Sequence, residues 1–495
     1  MSSFQHSIFF SAIERYGSFL LFLISTAVLS RLLTPSEFGV YAVVNAIILI
    51  LTASFQEFGG ANYLIQKQEL SQSNIRTAFT IVFGISALIG LVLYLAADVF
   101  VWMFKKQDLK LGIEVSALNL LLTPFVVVMA ALLRREMAFN KLAVCNLASN
   151  LAGALASILL AVLNFSFMAP IWGVLVGNLT LVVLLMFFSG NVGLFFRPLL
   201  SGYSDVLRFG LYSGGVSLIN VFYNLAPQLF LARILDFNAV GLFTRANGIT
   251  QVFDRLIGQV IGPVVMPAIF AQIKAGGNLK NIYLEGAGYL ATIQWPFLTF
   301  VAIMAHPLIL IWLGPTWVEI VPLVRLMCIA NLALFAACLT YPVLVATGSV
   351  RDSLISSLIS LPPSLALIFV ASFFGVEAVA ASMLITLPFQ AAVAIYFIRR
   401  HLKFEFSELT QVVSKGALIT LITSGGPAIC AVFVELNWLP TAVGLVLAGF
   451  VGSICWLLGL VLTAHPLLPR LQLAAGELFK VVLKSTGFFR RNLIR

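Results

Sequence analysis

Fourteen stretches of about 20 apolar residues, each bounded by charges, proline or glycine, follow one another along the chain, and a bilayer core needs about 20 such residues per helix. Their approximate limits are 10–30, 39–62, 78–101, 112–133, 142–163, 169–189, 209–231, 246–270, 286–312, 321–346, 354–374, 376–398, 413–434 and 440–463. Only 10% of the residues are charged, against 61% hydrophobic, where a soluble domain carries roughly 25% charged residues. Such a chain cannot cover a water-facing surface. The expected fold class is an all-α polytopic membrane protein.

Basic residues set the expected orientation. With a cytoplasmic N-terminus, 20 Lys and Arg fall on the inner side and 7 on the outer, with Arg15 and Arg255 inside spans. Arg245 is counted with the outer loops. The positive-inside rule then puts both termini in the cytoplasm. The formal net charge of +10 is accounted for by this topology and by contact with anionic lipid, so no nucleic-acid partner is called for. No cleavable leader is expected, because Glu14 and Arg15 interrupt the first apolar run. After Pro466 and Pro469, the segment 471–491 has apolar and basic stripes at helical spacing, which fits a helix lying on the inner leaflet.

The chain also repeats itself. SRLLTPSEFGVYAVVNAI (Ser30–Ile47) aligns without a gap on ARILDFNAVGLFTRANGI (Ala232–Ile249), 202 residues later. Arg31/Arg233, Leu33/Leu235, Gly39/Gly241, Asn45/Asn247 and Ile47/Ile249 are identical, and Tyr41 meets Phe243. Taken alone, each corner reads as a helix end carrying Arg with Gly at a tight turn. Five identities in one frame point further, to an internal duplication. Six spans separate the copies, an even number, so both enter the membrane from the same side and the halves are parallel repeats. Arg31, Gly39, Arg233 and Gly241 are accordingly expected to be structural residues of the corners.

Charged residues inside a membrane are costly and mark function by default. Arg15 lies 16 residues before Arg31, roughly 24 Å of helix, near the inner end of span one. Arg255 lies ten residues beyond Arg245, roughly 15 Å below the outer face, near the midplane. Arg325 stands at the outer edge of span ten. Glu14, Glu57 and Asp254 are the candidate coupling acids or ion-pair partners. No nucleotide-binding loop, metal-ligand spacing or catalytic constellation accompanies them, so neither a metal nor an enzymatic activity is expected.

SRLLTPSEFGVYA after a first span containing IERYGSFL resembles the polysaccharide-transport branch of the oligosaccharide flippases. That branch belongs to the superfamily that includes the MATE drug exporters and the lipid II flippases. IWLGPTWVEIVPLVRLM (Ile311–Met327) and LVATGSVRDS (Leu344–Ser353) resemble signatures of the same branch. The resemblance implies two pseudo-symmetric six-helix lobes, MATE-like and V-shaped around a central cavity, plus two C-terminal helices. On that plan 1–190 forms the first lobe, 191–208 a cytoplasmic connection and 209–400 the second lobe. Residues 401–465 supply two further spans, and 466–495 a basic amphipathic tail. It also implies transport of an undecaprenyl-diphosphate-linked oligosaccharide from the inner to the outer leaflet of a bacterial inner membrane, for O-antigen, capsule or exopolysaccharide synthesis. Arg15, Arg255 and Arg325 would then bind the substrate diphosphate. No cofactor is expected, H⁺ and Na⁺ coupling both fit, and a polymerase and glycosyltransferases are the expected partners besides membrane lipid. Two alternatives are a MATE-like cation-coupled drug exporter, which calls for an acidic and aromatic lumen, and a membrane glycan polymerase, which calls for a larger extramembrane loop.

Overall fold

The computed structural model describes residues 3–56, 64–65, 69–189, 198–200, 203–255, 278–340, 343–344, 347 and 349–472. Glu57, the 256–270 part of span eight and the tail beyond 472 lie outside the described residues. The described residues form helices and no strand. Among the described residues, twelve helical stretches are long and apolar enough to cross a membrane. The expected span 209–231 lies within the 32-residue helix Tyr203–Ile234, and the expected span 246–270 is described only as far as residue 255.

The chain divides into two compact units, each assembled from three stretches of sequence. The first comprises Met1–Ile261, Ile309–Met327 and Ser357–Thr386. Its helices are α1 (Ser3–Leu32), α2 (Pro35–Gln56), α3 (Gln72–Leu95), α4 (Ala97–Phe104), α5 (Leu109–Asn119) and α6 (Thr123–Arg135). They continue with α7 (Phe139–Val162), α8 (Met168–Ser189), α9 (Tyr203–Ile234) and α10 (Phe237–Thr250). The second comprises Gly262–Leu308, Cys328–Ser356 and Leu387–Arg495. It holds α11 (Leu279–Ile303) and, near the end of the chain, α16 (Phe406–Glu435) and α17 (Thr441–Leu462). The division falls within α12 (Ala305–Trp312), α13 (Val321–Asn331), α14 (Val350–Ser372) and α15 (Val376–Leu402), with 3₁₀ turns at Pro315–Ile320 and Leu332–Leu339.

The repeated corners have the same backbone plan. The Leu33 amide donates to the Leu29 carbonyl and the Leu235 amide to the Leu231 carbonyl, both at 2.9 Å, closing the first helix of each corner. The second helix is capped at equivalent positions by different chemistry. Thr34 and Glu37 form a reciprocal capping box: the Thr34 amide donates to Glu37 Oε2 at 2.8 Å and the Glu37 amide to Thr34 Oγ1 at 3.3 Å. In the second copy the Asp236 carboxylate accepts from the Ala239 amide at 2.7 Å.

Gly39 and Gly241 are not at the turns, as the local reading of the sequence expects, but one turn into α2 and α10. A Cβ on Gly39 would overlap the carbonyl oxygen of Phe237, and one on Gly241 the carbonyl oxygen of Pro35. Pro35 and Phe237 are themselves 202 residues apart. The two corners therefore pack on each other through a self-complementary, two-fold-like contact, and each glycine is there to admit the other copy's backbone.

The pair α7/α8 uses the same device. Gly153 meets the Gly173 carbonyl, and a Cβ on Gly173 would overlap Ser157 Oγ. Small residues let membrane helices approach closely where apolar surface gives no preference over lipid. In the second unit Gly416 packs on Ala291 and Thr292, while Gly459 packs on Ile419, so that α16 lies between α11 and α17.

Candidate functional site

Close packing of α7 on α8 leaves a recess toward α1 and α2, its lining more apolar than polar and including Leu21, Leu29, Pro170 and Val174. The cavity encloses about 420 Å³. From α1 it is lined by Ser18, Phe22, Ser25 and Thr26, from α2 by Phe38 and Tyr41. Ser149, Asn150 and Ser157 line it from α7, and Gly173, Gly177 and Asn178 from α8. Asn150 Nδ2 donates to Ser18 Oγ at 2.9 Å, and one turn away Asn146 Nδ2 donates to Glu14 Oε1. Asn178 Nδ2 donates to Asn119 Oδ1 at 3.0 Å, joining this recess to a smaller one beside Asn45 and Ser116.

Arg245 from α10 is the charged residue of the lining. The loop position expected from the sequence is corrected here: Arg245 is the ninth residue of α10 and only 8% exposed. Its guanidinium lies 3.7 Å from the Phe38 ring centroid and 5.4 Å from that of Trp317. Nε is buried with no hydrogen-bond partner among the described residues. Phe38 and Trp317 meet edge to face at 6.1 Å, so both copies of the corner and the IWLGPTW segment converge on this one cation. Aromatic faces stabilise a guanidinium modestly, by about 2 kcal/mol when desolvated, and leave its in-plane donors unused. The arrangement can accept an oxyanion alongside sugar-like hydroxyl groups.

The residues singled out in the sequence take different places around it. Arg255 sits at the end of the described part of span eight, its guanidinium 4.2 Å from the Phe22 ring centroid. Phe22 lines the cavity, so Arg255 touches a lining residue without itself belonging to the lining. Arg15 is half-buried on α1, one turn before Ser18. Arg325 is exposed on α13 and Asp254 is exposed beside Arg255. Arg31 and Arg233 are exposed at their corners. Sequence reasoning missed Arg245 as a site residue; its one available signal was the departure from the repeat, where Val43 occupies the matching position.

The sequence pattern of the polysaccharide biosynthesis protein family matches residues 28–322, more than half of the chain. The chain belongs to this family. The match begins just before the first corner, includes the second, and ends within the Ile311–Met327 motif. Among curated relatives, the lipopolysaccharide biosynthesis protein WzxC of Escherichia coli K12 is 26% identical over 314 residues, 63% of each chain. The succinoglycan biosynthesis transport protein ExoT of Rhizobium meliloti is 22% identical over 335 residues, 67% of this chain and 66% of that one. The chain thus matches just under two thirds of the length of these relatives. Among solved structures, the lipid II flippase MurJ in an inward closed conformation superposes with a TM-score of 0.74 at 10% identity, covering 93% of this chain and 100% of that one. An inward-facing MATE multidrug transporter gives 0.64 at 14% identity, covering 78% and 94%. This family member is therefore an all-α, multi-pass membrane protein with the MurJ and MATE fold.

Proposed function

We propose that this family member is a transporter, not an enzyme, and that it moves lipid-diphosphate-linked oligosaccharide repeat units from the inner to the outer leaflet for surface polysaccharide synthesis. The observation that carries the reading is a recess within a bundle of membrane helices, whose largely apolar lining carries several hydroxyl and amide groups and a buried guanidinium. Family membership and the fold support it. A lipid tail can stay in the bilayer while a sugar head and two phosphates are met by these hydroxyl, amide and guanidinium groups. The two six-helix lobes, 1–190 and 209–400, would alternate access to the two sides, with 401–465 as an added helix pair. Arg15, Arg255 and Arg325 would receive the diphosphate, and both termini would be cytoplasmic. The polymerase and glycosyltransferases of the same pathway would be its partners.

The cavity also bears on the drug-exporter alternative. A cation exporter on this fold calls for carboxylates in its lumen, and among the described residues the lining of this recess contains none. The test is deletion of the gene from a host that makes the polysaccharide. Lipid-linked repeat units should accumulate on the inner leaflet and surface polymer should disappear, both reversed by the intact chain. Unchanged polymer together with increased sensitivity to cationic drugs would favour the exporter instead.

A further inference from the structure

We infer that the recess between α1, α2, α7 and α8 seats an acidic sugar of the transported head group, with Arg245 holding that sugar's carboxylate. The inference rests on the flippase reading and adds a substrate class to it. Four observations converge.

Arg245 is more than nine-tenths buried, lines the recess, makes no ion pair among the described residues and has an unpartnered Nε. A guanidinium withdrawn from water and set only against ring faces is short of an anion. One guanidinium matches the single charge of a carboxylate, which it can bind in bidentate fashion; a diphosphate would leave charge unmatched in the recess.

The rest of the lining suits sugar hydroxyls. Ser18, Ser25, Ser149 and Asn150 place donors and acceptors along it, while Leu21, Leu29 and Val174 offer apolar contact to the C–H side of a ring. The volume of about 420 Å³ lies in the range of about 300–1,000 Å³ that holds small molecules, room for about one or two sugar rings but not for a lipid-linked repeat unit. Finally, Arg255 lies on Phe22 and outside the lining. Arg245 is part of the lining and Arg255 is not, so the two charges of the substrate would be read by different residues.

The test uses the full chain in lipid nanodiscs and three probes: a glucuronic-acid-containing disaccharide, its neutral glucose counterpart, and inorganic pyrophosphate. Wild type should bind the acidic disaccharide about ten-fold or more tightly than the neutral one, as expected for a hydrogen-bonded charge pair. Arg245→Gln should erase that preference and Arg245→Lys keep part of it, while Arg255→Gln should leave it intact and weaken pyrophosphate binding. Equal binding of the two disaccharides by wild type would overturn the inference, whatever the variants do. So would displacement of the acidic disaccharide by pyrophosphate with both lost in Arg245→Gln, which would make this a phosphate site. Failure of the flippase reading looks different: polymer export would survive gene deletion even though the acidic preference is present in nanodiscs.

Discussion

Arg31 Nη2 donates to the carbonyl oxygen of Ile311 at 2.6 Å, linking residues 280 positions apart. Two neighbours repeat the connection. Trp317 Nε1 donates to the Ser30 carbonyl at 2.6 Å, and Trp312 Nε1 to the Leu23 carbonyl at 3.1 Å. The IWLGPTW motif therefore grips the end of α1, and Gly314, with φ of 103°, makes the turn between its two tryptophans in a region that favours glycine. Two of the sequence signatures, SRLLTPSEFGVYA and IWLGPTW, thus meet beside Arg245.

Trp317 should consequently be a stability residue. It is fully buried, bonded to Ser30 and packed on Phe38. Trp317→Phe, which keeps a ring but loses the indole N–H, should cost about 1 kcal/mol. Trp317→Ala should cost about 3–5 kcal/mol. Thermal unfolding of purified protein in detergent ranks them; equal melting temperatures for wild type and Trp317→Ala would refute the assignment.

The corner contact makes a reciprocal prediction. Gly39→Ala and Gly241→Ala should each destabilise by at least about 1–3 kcal/mol, because the added methyl meets a backbone carbonyl that has no rotamer with which to escape. Gly248→Ala, on the same helix α10 with open space around it, should be neutral or slightly stabilising. Monodisperse yield from membranes reports the difference. A Gly248 variant as damaged as the Gly39 variant would show that the effect is not the contact.

Arg255 is expected to act in transport. A guanidinium in the membrane costs at least about 2.5–3.5 kcal/mol unless hydrated or paired, and here it rests on Phe22 with no ion pair among the described residues. Arg255→Lys should retain partial polymer export, while Arg255→Ala should abolish it at normal protein abundance. Normal export by Arg255→Ala would make the residue structural; failure of that variant to accumulate would point to an acidic partner, which a charge swap should identify.

His465, just beyond the last span, should make the second unit sensitive to acid. The Leu467 amide donates to Nδ1 at 3.2 Å, so Nδ1 is unprotonated and Nε2 faces Thr292 Oγ1 at 3.2 Å. Burial, and secondarily the nearby Lys415 charge, lower its pKa below the usual imidazole value of about 6.5. The folded state then binds fewer protons than the unfolded one, so stability is constant above about pH 7 and declines as pH falls below about 6.5. The decline should be smaller in His465→Gln. A wild-type melting temperature that rises on acidification through this window would reverse the sign.

How much of this was legible beforehand follows from what each feature depends on. The spans were readable because every membrane helix satisfies its own backbone locally, so length and apolarity suffice to mark it. The corners were readable as a repeated helix–turn–helix, but the capping pairs Thr34–Glu37 and Asp236–Ala239 came from the structure, and the glycines proved to lie inside the helices and not at the turns. The duplication was visible as identity in register, yet its purpose was not: that Gly39 faces Phe237 depends on how two helices cross, which no spacing within either helix records. Arg245 shows the same boundary most sharply. Its neighbours in sequence place it near the outer end of a span, where an arginine ordinarily reaches water. Its neighbours in space, Phe38 from the first copy and Trp317 from a segment 72 residues later, enclose it instead. Local sequence sets which residues a helix carries and how they are spaced around it; the direction in which Arg245 is buried was decided only when distant helices packed.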